Sequence, residues 1–286
     1  MNAFPSALVS PADLVSLLDS ARQPVLLDVR WRLGGPPGHD EYSAGHLPGA
    51  VFLDLDRDLA AAPGAGGRHP LPDPADLERV LRAAGVRADL PVVVYDGDNG
   101  SVAARAWWLL RWAGHGEVAV LDGGYAGWVA GGGATGTAEP SPEPGDFQVR
   151  PGGMPVIDAD EAAELAEDGV LLDARAAERF RGDVEPVDPR AGHIPGAVNA
   201  PFSGHTGPDG GWLAPAALAD RFAGLGVDAG SGPVGAYCGS GVTAASVVLA
   251  LEVAGVTSAQ RPAALYAGSW SQWSQDPARP VATGDH

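Results

Sequence analysis

The 286-residue sequence contains no lysine, so its 18 basic residues are all arginines, against 36 acidic residues and a net charge of −18. Such an acidic chain is a poor partner for nucleic acid or for an anionic membrane surface. Its single cysteine excludes an internal disulfide framework and fits a reducing compartment. No apolar run is long enough to span a membrane, and residues 1–14 lack the basic start and apolar core of a signal peptide. We therefore expect a cytoplasmic protein with no membrane or nucleic-acid partner.

The second half of the sequence repeats the first at an offset of about 145 residues, which indicates duplication of one domain rather than a short solenoid repeat. The clearest match is Gly-His-Leu-Pro-Gly-Ala-Val at 45–51 with Gly-His-Ile-Pro-Gly-Ala-Val at 192–198. Three further segments match in the same order: 26–30 with 171–175, 91–95 with 233–237, and 121–126 with 265–270.

Each copy alternates short apolar strands with helical patterns, which favours an α/β domain with a parallel sheet and helices on both faces. We expect one domain over residues 1–135 and a second over residues 156–286. The linker between them, at 136–155, lies where the chain is rich in glycine, proline, alanine and glutamate without periodicity.

The only cysteine, Cys238, lies between an apolar run and a helical run, within Tyr-Cys-Gly-Ser-Gly-Val-Thr-Ala at 237–244. A glycine-rich loop that joins a strand to a helix directs several backbone N–H groups into one concavity at the positive end of the helix. That concavity would stabilise a thiolate, so we expect Cys238 to be a nucleophile at neutral pH. Gly239 and Gly241 permit the unusual backbone angles and leave the approach to the sulfur open.

Three other interpretations of this loop are open. A lone cysteine can be a small buried hydrophobe. Residues 239–244 also match the loose dinucleotide-binding fingerprint, but Gln260 stands where that fold has an acidic residue, and too few residues follow for its remaining strands. A cysteine phosphatase would place a phosphate-binding arginine where this sequence has Ala244. The loop and helix context favours a reactive cysteine.

The sequence Cys-Gly-Ser-Gly-Val-Thr at 238–243 resembles the active loop of the rhodanese-like sulfurtransferases, in the form typical of 3-mercaptopyruvate enzymes. Thiosulfate-preferring relatives tend to carry basic residues where this chain has Gly239 and Ser240. The resemblance runs over nearly the whole chain and implies two tandem rhodanese-like domains. The repeat aligns Asp96 with Cys238, and because a carboxylate cannot carry a transferable sulfur, we expect the first domain to be catalytically silent.

The resemblance implies transfer of sulfane sulfur from 3-mercaptopyruvate, through a Cys238 persulfide, to a thiol or cyanide acceptor. Thiosulfate is the alternative anionic donor, and a non-catalytic persulfide carrier or redox-sensing module is a further alternative. Since no second cysteine can resolve the persulfide, the acceptor must be external, a thiol or dithiol such as thioredoxin. No cofactor is expected. No metal is expected either, because acidic segments 54–58 and 96–100 lack the pattern of a calcium loop and no zinc-binding spacing occurs.

The resemblance assigns donor binding to Arg179 and Arg190, whose planar groups can each hold a carboxylate by two parallel hydrogen bonds. The loop residues expected to contact the substrate are Gly239, Gly241, Val242 and Thr243. Ser240 would donate a hydrogen bond to the reacting sulfur, and His69 with Asp56 would complete a proton relay. For His69, an exposed position in a loop is the alternative. The repeated histidines, His46 and His193, are expected to have packing roles.

Overall fold

The computed structural model describes residues 3–285. They form two compact units, and each half of the chain contributes a short segment to the unit built mainly from the other half. The first unit comprises Met1–Ala61, Pro72–Gly153 and Thr206–Trp212, and the second comprises Ala62–Leu71, Met154–His205 and Leu213–His286. The division into domains at 1–135 and 156–286, with a linker at 136–155, stays a prediction. It does not anticipate that 62–71 belongs to the second unit and 206–212 to the first.

The first unit contains a parallel sheet of five short strands. In chain order they are β1 Leu8–Val9, β2 Val25–Asp28, β3 Val51–Phe52, β4 Val92–Tyr95 and β5 Val118–Leu121. Their spatial order is β1-β5-β4-β2-β3. The helices are α1 Pro11–Leu18, α2 Gly38–Ala44, α3 Leu55–Asp58, α4 Pro74–Ala83, α5 Ala103–Trp112 and α6 Gly124–Ala130. Strand β4 is buried at every residue, as expected for a parallel sheet covered on both faces.

The second unit repeats this arrangement, with the spatial order β6-β10-β9-β7-β8. Its strands are β6 Val156–Ile157, β7 Val170–Asp173, β8 Val198–Asn199, β9 Val234–Tyr237 and β10 Ala264–Tyr266. Its helices are α7 Ala159–Asp168, α8 Ala177–Arg181, α9 Pro215–Ala223, α10 Ala244–Val253 and α11 Ser269–Trp273, with a 3₁₀ turn at Phe202–His205. Two parallel α/β sheets of identical strand order confirm the predicted fold class and the duplication.

Helices α5 and α10 follow the two loops that the repeat aligns, and both are core helices. Nine of the ten residues of α5 and eight of the ten residues of α10 are buried. Burial on nearly all sides is typical of a helix in the core of a globular protein. These helices therefore hold the loops before them on a rigid support. Among residues 3–285 there is no helix of the length and apolarity that crossing a membrane requires.

A buried arginine–aspartate pair recurs at the end of the second strand of each unit. Arg30 Nη2 lies 2.7 Å from Asp28 Oδ2, and Arg175 Nη2 lies 2.6 Å from Asp173 Oδ2. All four side chains are almost fully buried. Removing one partner of such a pair leaves an uncompensated buried charge, at a typical cost of about 3–5 kcal/mol.

The repeated histidines pack against aromatic rings, which confirms their predicted role. His46 stacks on Tyr42 at 3.9 Å between ring centroids, and its Nδ1 is 2.9 Å from the Tyr42 carbonyl oxygen. His193 stacks on Phe180 at 3.7 Å, and its Nδ1 is 2.8 Å from the Phe180 carbonyl oxygen. Tyr42 in α2 and Phe180 in α8 therefore occupy equivalent positions.

The predicted match of residues 121–126 with 265–270 is wrong by one residue. Val94 opposes Val120 in the first sheet, and Ala236 opposes Leu265 in the second, so Val120 is the counterpart of Leu265. By the same shift Gly124 corresponds to Ser269, and both have a backbone φ of +53°. The match based on residue types had aligned Gly124 with Gly268. The pairing of neighbouring strands, which sets the register, aligns Gly124 with Ser269 instead.

Candidate active site

Cys238 follows β9 directly and is 2% exposed. Its Sγ accepts hydrogen bonds from the backbone N–H of Ser240 at 3.4 Å and of Gly241 at 3.1 Å. Gly241 has φ +79°, and a Cβ there would lie 2.4 Å from the carbonyl oxygen of Ala267, so only glycine fits. Burial alone would suit a structural thiol, but the two donors at Sγ are a feature of an anion site.

The start of α10 offers further donors beside the sulfur. Within residues 3–285, the backbone N–H groups of Val242, Thr243 and Ala244 have no hydrogen-bond partner. The first N–H groups of a helix have no partner inside the helix, and they favour a negative charge. We call the concavity formed by the backbone of residues 239–244 the anion nest. It has the capacity to hold a second anionic atom next to Sγ.

Ser269, at the start of α11 in the connection that follows β10, contacts the backbone of the cysteine. The Cys238 N–H donates to Ser269 Oγ at 3.2 Å, and the Trp270 N–H donates to the Cys238 carbonyl at 3.0 Å. Ser269 is fully buried and has φ +53°, a conformation that costs roughly 1–3 kcal/mol for a non-glycine residue. Ser269 was not predicted from the sequence, although it lies in the segment 265–270 that the repeat matches with 121–126.

His69 and Ser240 lie side by side. Nδ1 of His69 is 2.8 Å from Ser240 Oγ, in a hydrogen bond whose donor depends on the tautomer of the imidazole. His69 is 4% exposed, so the alternative of an exposed loop position is wrong. The segment 62–71 that carries it belongs to the second unit, and the Arg68 N–H anchors it by donating to Ser271 Oγ at 3.0 Å.

Asp56 lies in the first unit, in the first turn of α3. Its Oδ2 accepts a hydrogen bond of 3.0 Å from the indole N–H of Trp31. A place for Asp56 in the proton relay stays a prediction.

Arg179, on α8, is held by two carboxylates. Its Nη2 donates to Glu185 Oε1 at 2.6 Å and to Asp188 Oδ2 at 3.2 Å, and its Nε donates to Glu185 Oε2 at 3.3 Å. The remaining nitrogen, Nη1, lies 3.5 Å from the position that a Cβ would take on Gly239. The predicted donor-binding arginine is therefore close to the residue that follows the nucleophile.

A second guanidinium, that of Arg68, faces the same residue and was missed from the sequence. Its Nη1 donates to Asp188 Oδ1 at 2.8 Å, and its Nη2 lies 3.2 Å from the Cβ position of Gly239. Asp188, whose side chain is 3% exposed, thus bridges Arg68 and Arg179. The available signal was the position of Arg68 directly before His69, a residue that the resemblance had placed at the site.

Arg190, the other predicted donor-binding arginine, is engaged by the backbone of the C-terminal segment. Its guanidinium donates to four carbonyl oxygens at 2.6–2.9 Å, those of Trp273, Ser274, Asp276 and Arg279. A carboxylate would have to displace these bonds to be held bidentately. Donor binding by Arg190 stays a prediction, and this geometry argues against it.

Together these residues supply a thiol, spare amide donors, a histidine–serine pair and two guanidinium groups. A nucleophile beside fixed donors for developing negative charge is the arrangement that attack on an anionic substrate needs. Within the described part of the chain, no group of three or more His, Cys, Asp or Glu side chains is placed to hold a metal ion.

Residues 10–131 and 158–276 each match the family described as the rhodanese-like domain. A Pseudomonas aeruginosa protein, provisionally named 3-mercaptopyruvate sulfurtransferase, is 51% identical over 91% of this chain and 93% of its own. A Mycobacterium tuberculosis protein, provisionally named thiosulfate sulfurtransferase SseB, is 47% identical over 99% of both chains. The structure of 3-mercaptopyruvate sulfurtransferase from Leishmania major is similar with a TM-score of 0.82 and 29% identity, over 96% of this chain and 76% of that chain. The chain therefore belongs to the rhodanese family and carries two rhodanese-like domains in tandem.

Proposed function

We propose that the protein is a sulfurtransferase that moves sulfane sulfur from 3-mercaptopyruvate to an external acceptor through a persulfide on Cys238. The observation that carries this proposal is the position of Cys238 Sγ in an anion nest with spare N–H donors. The names of several relatives support the same activity, including the 51% identical Pseudomonas aeruginosa protein.

In the first half-reaction, the Cys238 thiolate attacks the sulfur of 3-mercaptopyruvate. The new bond joins Sγ to that sulfur, and the carbon–sulfur bond of the donor breaks. Its electron pair remains on the three-carbon fragment as the enolate of pyruvate. The proton of the donor thiol ends on the enolate carbon and gives pyruvate, so atoms and electrons balance. We assign the transfer of that proton to the His69–Ser240 pair; their hydrogen bond supports the assignment, since histidine exchanges protons near neutral pH.

The persulfide formed in this step ends in an anionic sulfur, and the anion nest provides its binding site. The N–H groups of Val242, Thr243 and Ala244 are preorganised by α10, so they stabilise charge without rearrangement. Gly239 and Gly241 keep side chains out of that space. This role agrees with the substrate contacts that the sequence predicts for these loop residues.

In the second half-reaction, an acceptor thiolate attacks the outer sulfur, and the Cys238 thiolate leaves with the electron pair of the sulfur–sulfur bond. Because the chain has no other cysteine, the acceptor is a separate molecule. We propose a thiol or dithiol, such as that of thioredoxin, with cyanide as a laboratory substitute. The single cysteine also supports the proposed cytoplasmic location.

Thiosulfate is the second candidate donor, and the 47% identity with the protein named SseB favours it. Attack on its outer sulfur would release sulfite and form the same persulfide. The loop itself offers no basic side chain at Gly239 or Ser240 for a dianionic sulfonate. We rank 3-mercaptopyruvate first on this ground.

The test is intact-mass spectrometry after brief, separate exposure to 3-mercaptopyruvate and to thiosulfate, with Cys238→Ser as the control. We expect the mass of one sulfur atom to be gained with 3-mercaptopyruvate and lost again when cyanide is added. Gain with thiosulfate alone would keep the persulfide chemistry and replace the donor. No gain with either donor would overturn the proposal in favour of a persulfide-independent binding module.

A further inference from the structure

We propose that Ser271, on α11, is the residue that positions His69 against Ser240 in the loop of Cys238. This inference rests on the proposed function, because it concerns the pair to which the proton transfer of that reaction is assigned. Ser271 acts through hydrogen bonds to the backbone beside the pair, so it is a positioning residue for the reaction.

The first argument is a closed ring of bonds around the His69–Ser240 pair. The Ser271 N–H donates to the carbonyl oxygen of Gly239, the residue before Ser240, at 2.9 Å. The Ser271 Oγ accepts from the N–H of Arg68, the residue before His69, at 3.0 Å. The bond of 2.8 Å between His69 Nδ1 and Ser240 Oγ completes the ring. Ser271 therefore holds both chain segments one residue away from the bond that joins the pair.

The second argument is that the Ser271 hydroxyl is buried and uses its donor as well as its acceptor. Ser271 is 2% exposed, and its Oγ donates to the carbonyl oxygen of Gly268 at 3.0 Å. That bond directs the hydroxyl proton away from Arg68 and leaves a lone pair for the Arg68 N–H. A buried network in which each group is paired holds one geometry, and removal of the hydroxyl would take this acceptor from the Arg68 N–H.

The third argument is the close packing of residues 62–71, which we call the His69 arm. Gly67 has φ +101°, and a Cβ there would lie 2.6 Å from the carbonyl oxygen of Gly268 and 2.9 Å from Ser271 Oγ. Only glycine allows the backbone of the arm to approach α11 so closely. The arm therefore rests on α11 at the position of the Ser271 hydroxyl.

The fourth argument is the counterpart of Ser271 in the first unit. The register set by the pairing of β5 and β10 aligns Ser271 with Ala126. The Ala126 N–H donates to the Gly97 carbonyl oxygen at 3.0 Å, which is the same backbone bond that Ser271 makes to Gly239. The turn therefore forms without a hydroxyl at this place. In the second unit the hydroxyl bonds to the His69 arm, so its role lies with the arm and not with the fold of the turn.

The experiment is a double-mutant cycle between Ser271 and His69. Ser271→Ala removes the hydroxyl and keeps the backbone bond to Gly239. Single-turnover mass spectrometry measures the rate at which Cys238 gains sulfur from 3-mercaptopyruvate. We expect Ser271→Ala to slow this uptake about 10- to 100-fold, since a small displacement of a group in a site has effects of that order.

The His69→Gln background separates positioning from a merely structural role. His69→Gln alone should slow uptake by about 100-fold or more, the usual contribution of a proton-transfer group. In this background, Ser271→Ala should change the rate less than about threefold, because the group that Ser271 positions is gone.

Ser274→Ala is the matched control for Ser271→Ala. Ser274 lies directly after α11 and is 3% exposed, and its Oγ has no hydrogen-bond partner within the described residues. Its removal should leave the uptake rate within about twofold of the wild type, because this hydroxyl holds neither the arm nor the loop.

Should Ser271→Ala fail to fold, Gly67→Ala breaks the same contact from the side of the arm. Gly64→Ala is its control, since a Cβ on Gly64 would meet nothing within 4 Å in the part of the chain that the structure describes. We expect uptake to slow about tenfold or more in Gly67→Ala and to stay near the wild-type rate in Gly64→Ala. Equal rates in these two variants would overturn the inference.

An unchanged rate in Ser271→Ala would also overturn it, as would equal slowing by Ser271→Ala in the wild-type and His69→Gln backgrounds. Uptake by His69→Gln at the wild-type rate would overturn it too, while the persulfide on Cys238 would stand. A wild-type protein that takes up no sulfur from 3-mercaptopyruvate would instead overturn the proposed function.

Discussion

The loops that follow β4 and β9 are two versions of one strand-to-helix turn, and they hold different groups. In the first unit, the carboxylate of Asp96 accepts four backbone N–H groups at 2.9–3.2 Å, those of Asp98, Gly100, Val102 and Ala103. In the second unit, Cys238 Sγ accepts two N–H groups from the described part of the chain, those of Ser240 and Gly241. The turn is therefore a general anion site, and the side chain at its first position decides whether that site is already filled.

The filled anion site supports the prediction that the first unit is catalytically silent. Asp96 is buried, and burial raises the pKa of its carboxyl, while the backbone donors from Gly100, Val102 and Ala103 oppose that shift by favouring the ionised form. All four N–H groups are used by the protein itself. In the second loop the smaller group leaves the three N–H groups of residues 242–244 without a partner among the described residues.

Two further differences separate the copies. Helix α5 begins seven positions after Asp96, whereas α10 begins six positions after Cys238, so the first loop is one residue longer. The equivalence of Tyr42 and Phe180 also places Glu41 where the second copy has Arg179. An acidic residue at that place would repel an anionic donor. The first copy thus has neither a cysteine at the first position of the loop nor an arginine at the position of Arg179.

The largest expected effect is on sulfur uptake, when Cys238 is removed from the second loop and a cysteine is introduced at position 96 of the first. Cys238→Ser should abolish sulfur uptake, and the double variant Asp96→Cys/Cys238→Ser should not recover it. A cysteine at position 96 would lie in a longer loop, and the position equivalent to Arg179 holds Glu41 in place of an arginine. Intact-mass spectrometry after exposure to 3-mercaptopyruvate is the measurement. Persulfide formation on the new cysteine would show that the loop alone suffices for the chemistry.

The next effect concerns stability rather than activity. Asp96→Asn replaces a charged acceptor of four N–H groups with a neutral amide that has one acceptor oxygen. We expect the free energy of unfolding to fall by about 2–4 kcal/mol, because bonds to a charged group are lost and buried N–H groups are left unpaired. Urea unfolding measures this change.

Asp98→Asn is the matched control for Asp96→Asn, since Asp98 is exposed and, among residues 3–285, its carboxylate accepts from the adjacent Asn99 N–H alone. Its expected change is below about 0.5 kcal/mol. Equal destabilisation by the two variants would contradict the assignment of the Asp96 carboxylate as the anion of the first nest.

The smallest expected effect is the loss of stability when a glycine with positive φ in one of the two loops is replaced by alanine. A Cβ on Gly241 would lie 2.4 Å from the backbone oxygen of Ala267, whereas a Cβ on Gly100 would first meet the Trp212 side chain at 2.8 Å. Side chains yield more readily than backbone. We expect Gly241→Ala to cost about 2–3 kcal/mol and Gly100→Ala about 1 kcal/mol.

Sulfur uptake provides a second readout for this pair of variants. Gly241→Ala should slow it, because the amide of Gly241 donates to Cys238 Sγ. Gly100→Ala should leave uptake unchanged, as its loop carries no nucleophile. A larger loss of stability and sulfur uptake in Gly100→Ala than in Gly241→Ala would contradict the roles assigned to the two loops.

The sequence predicted the duplication, the α/β class and the strand-to-helix loop around Cys238, and all three are present in the structure. It paired residues 121–126 with 265–270 incorrectly, because glycine identity is a weaker guide to register than the hydrogen bonds between neighbouring strands. It placed His69 near Ser240 only through family resemblance. Arg68 and Ser269 were missed, because only folding brings Arg68 close to Gly239 and Ser269 to the backbone of Cys238.

By itself the sequence determined the repeated strands and helices and the one residue able to carry sulfur. These properties depend on periodicity and on residue chemistry, which neighbours along the chain supply. Only the tertiary structure decided which arginines face Gly239. Arg68 and Arg179 are far apart in sequence and meet through Asp188, while the donors of Arg190 are used by the carbonyl oxygens of the C-terminal segment. The direction of a guanidinium is set by its buried hydrogen-bond partners, and those partners are assembled only when the chain folds.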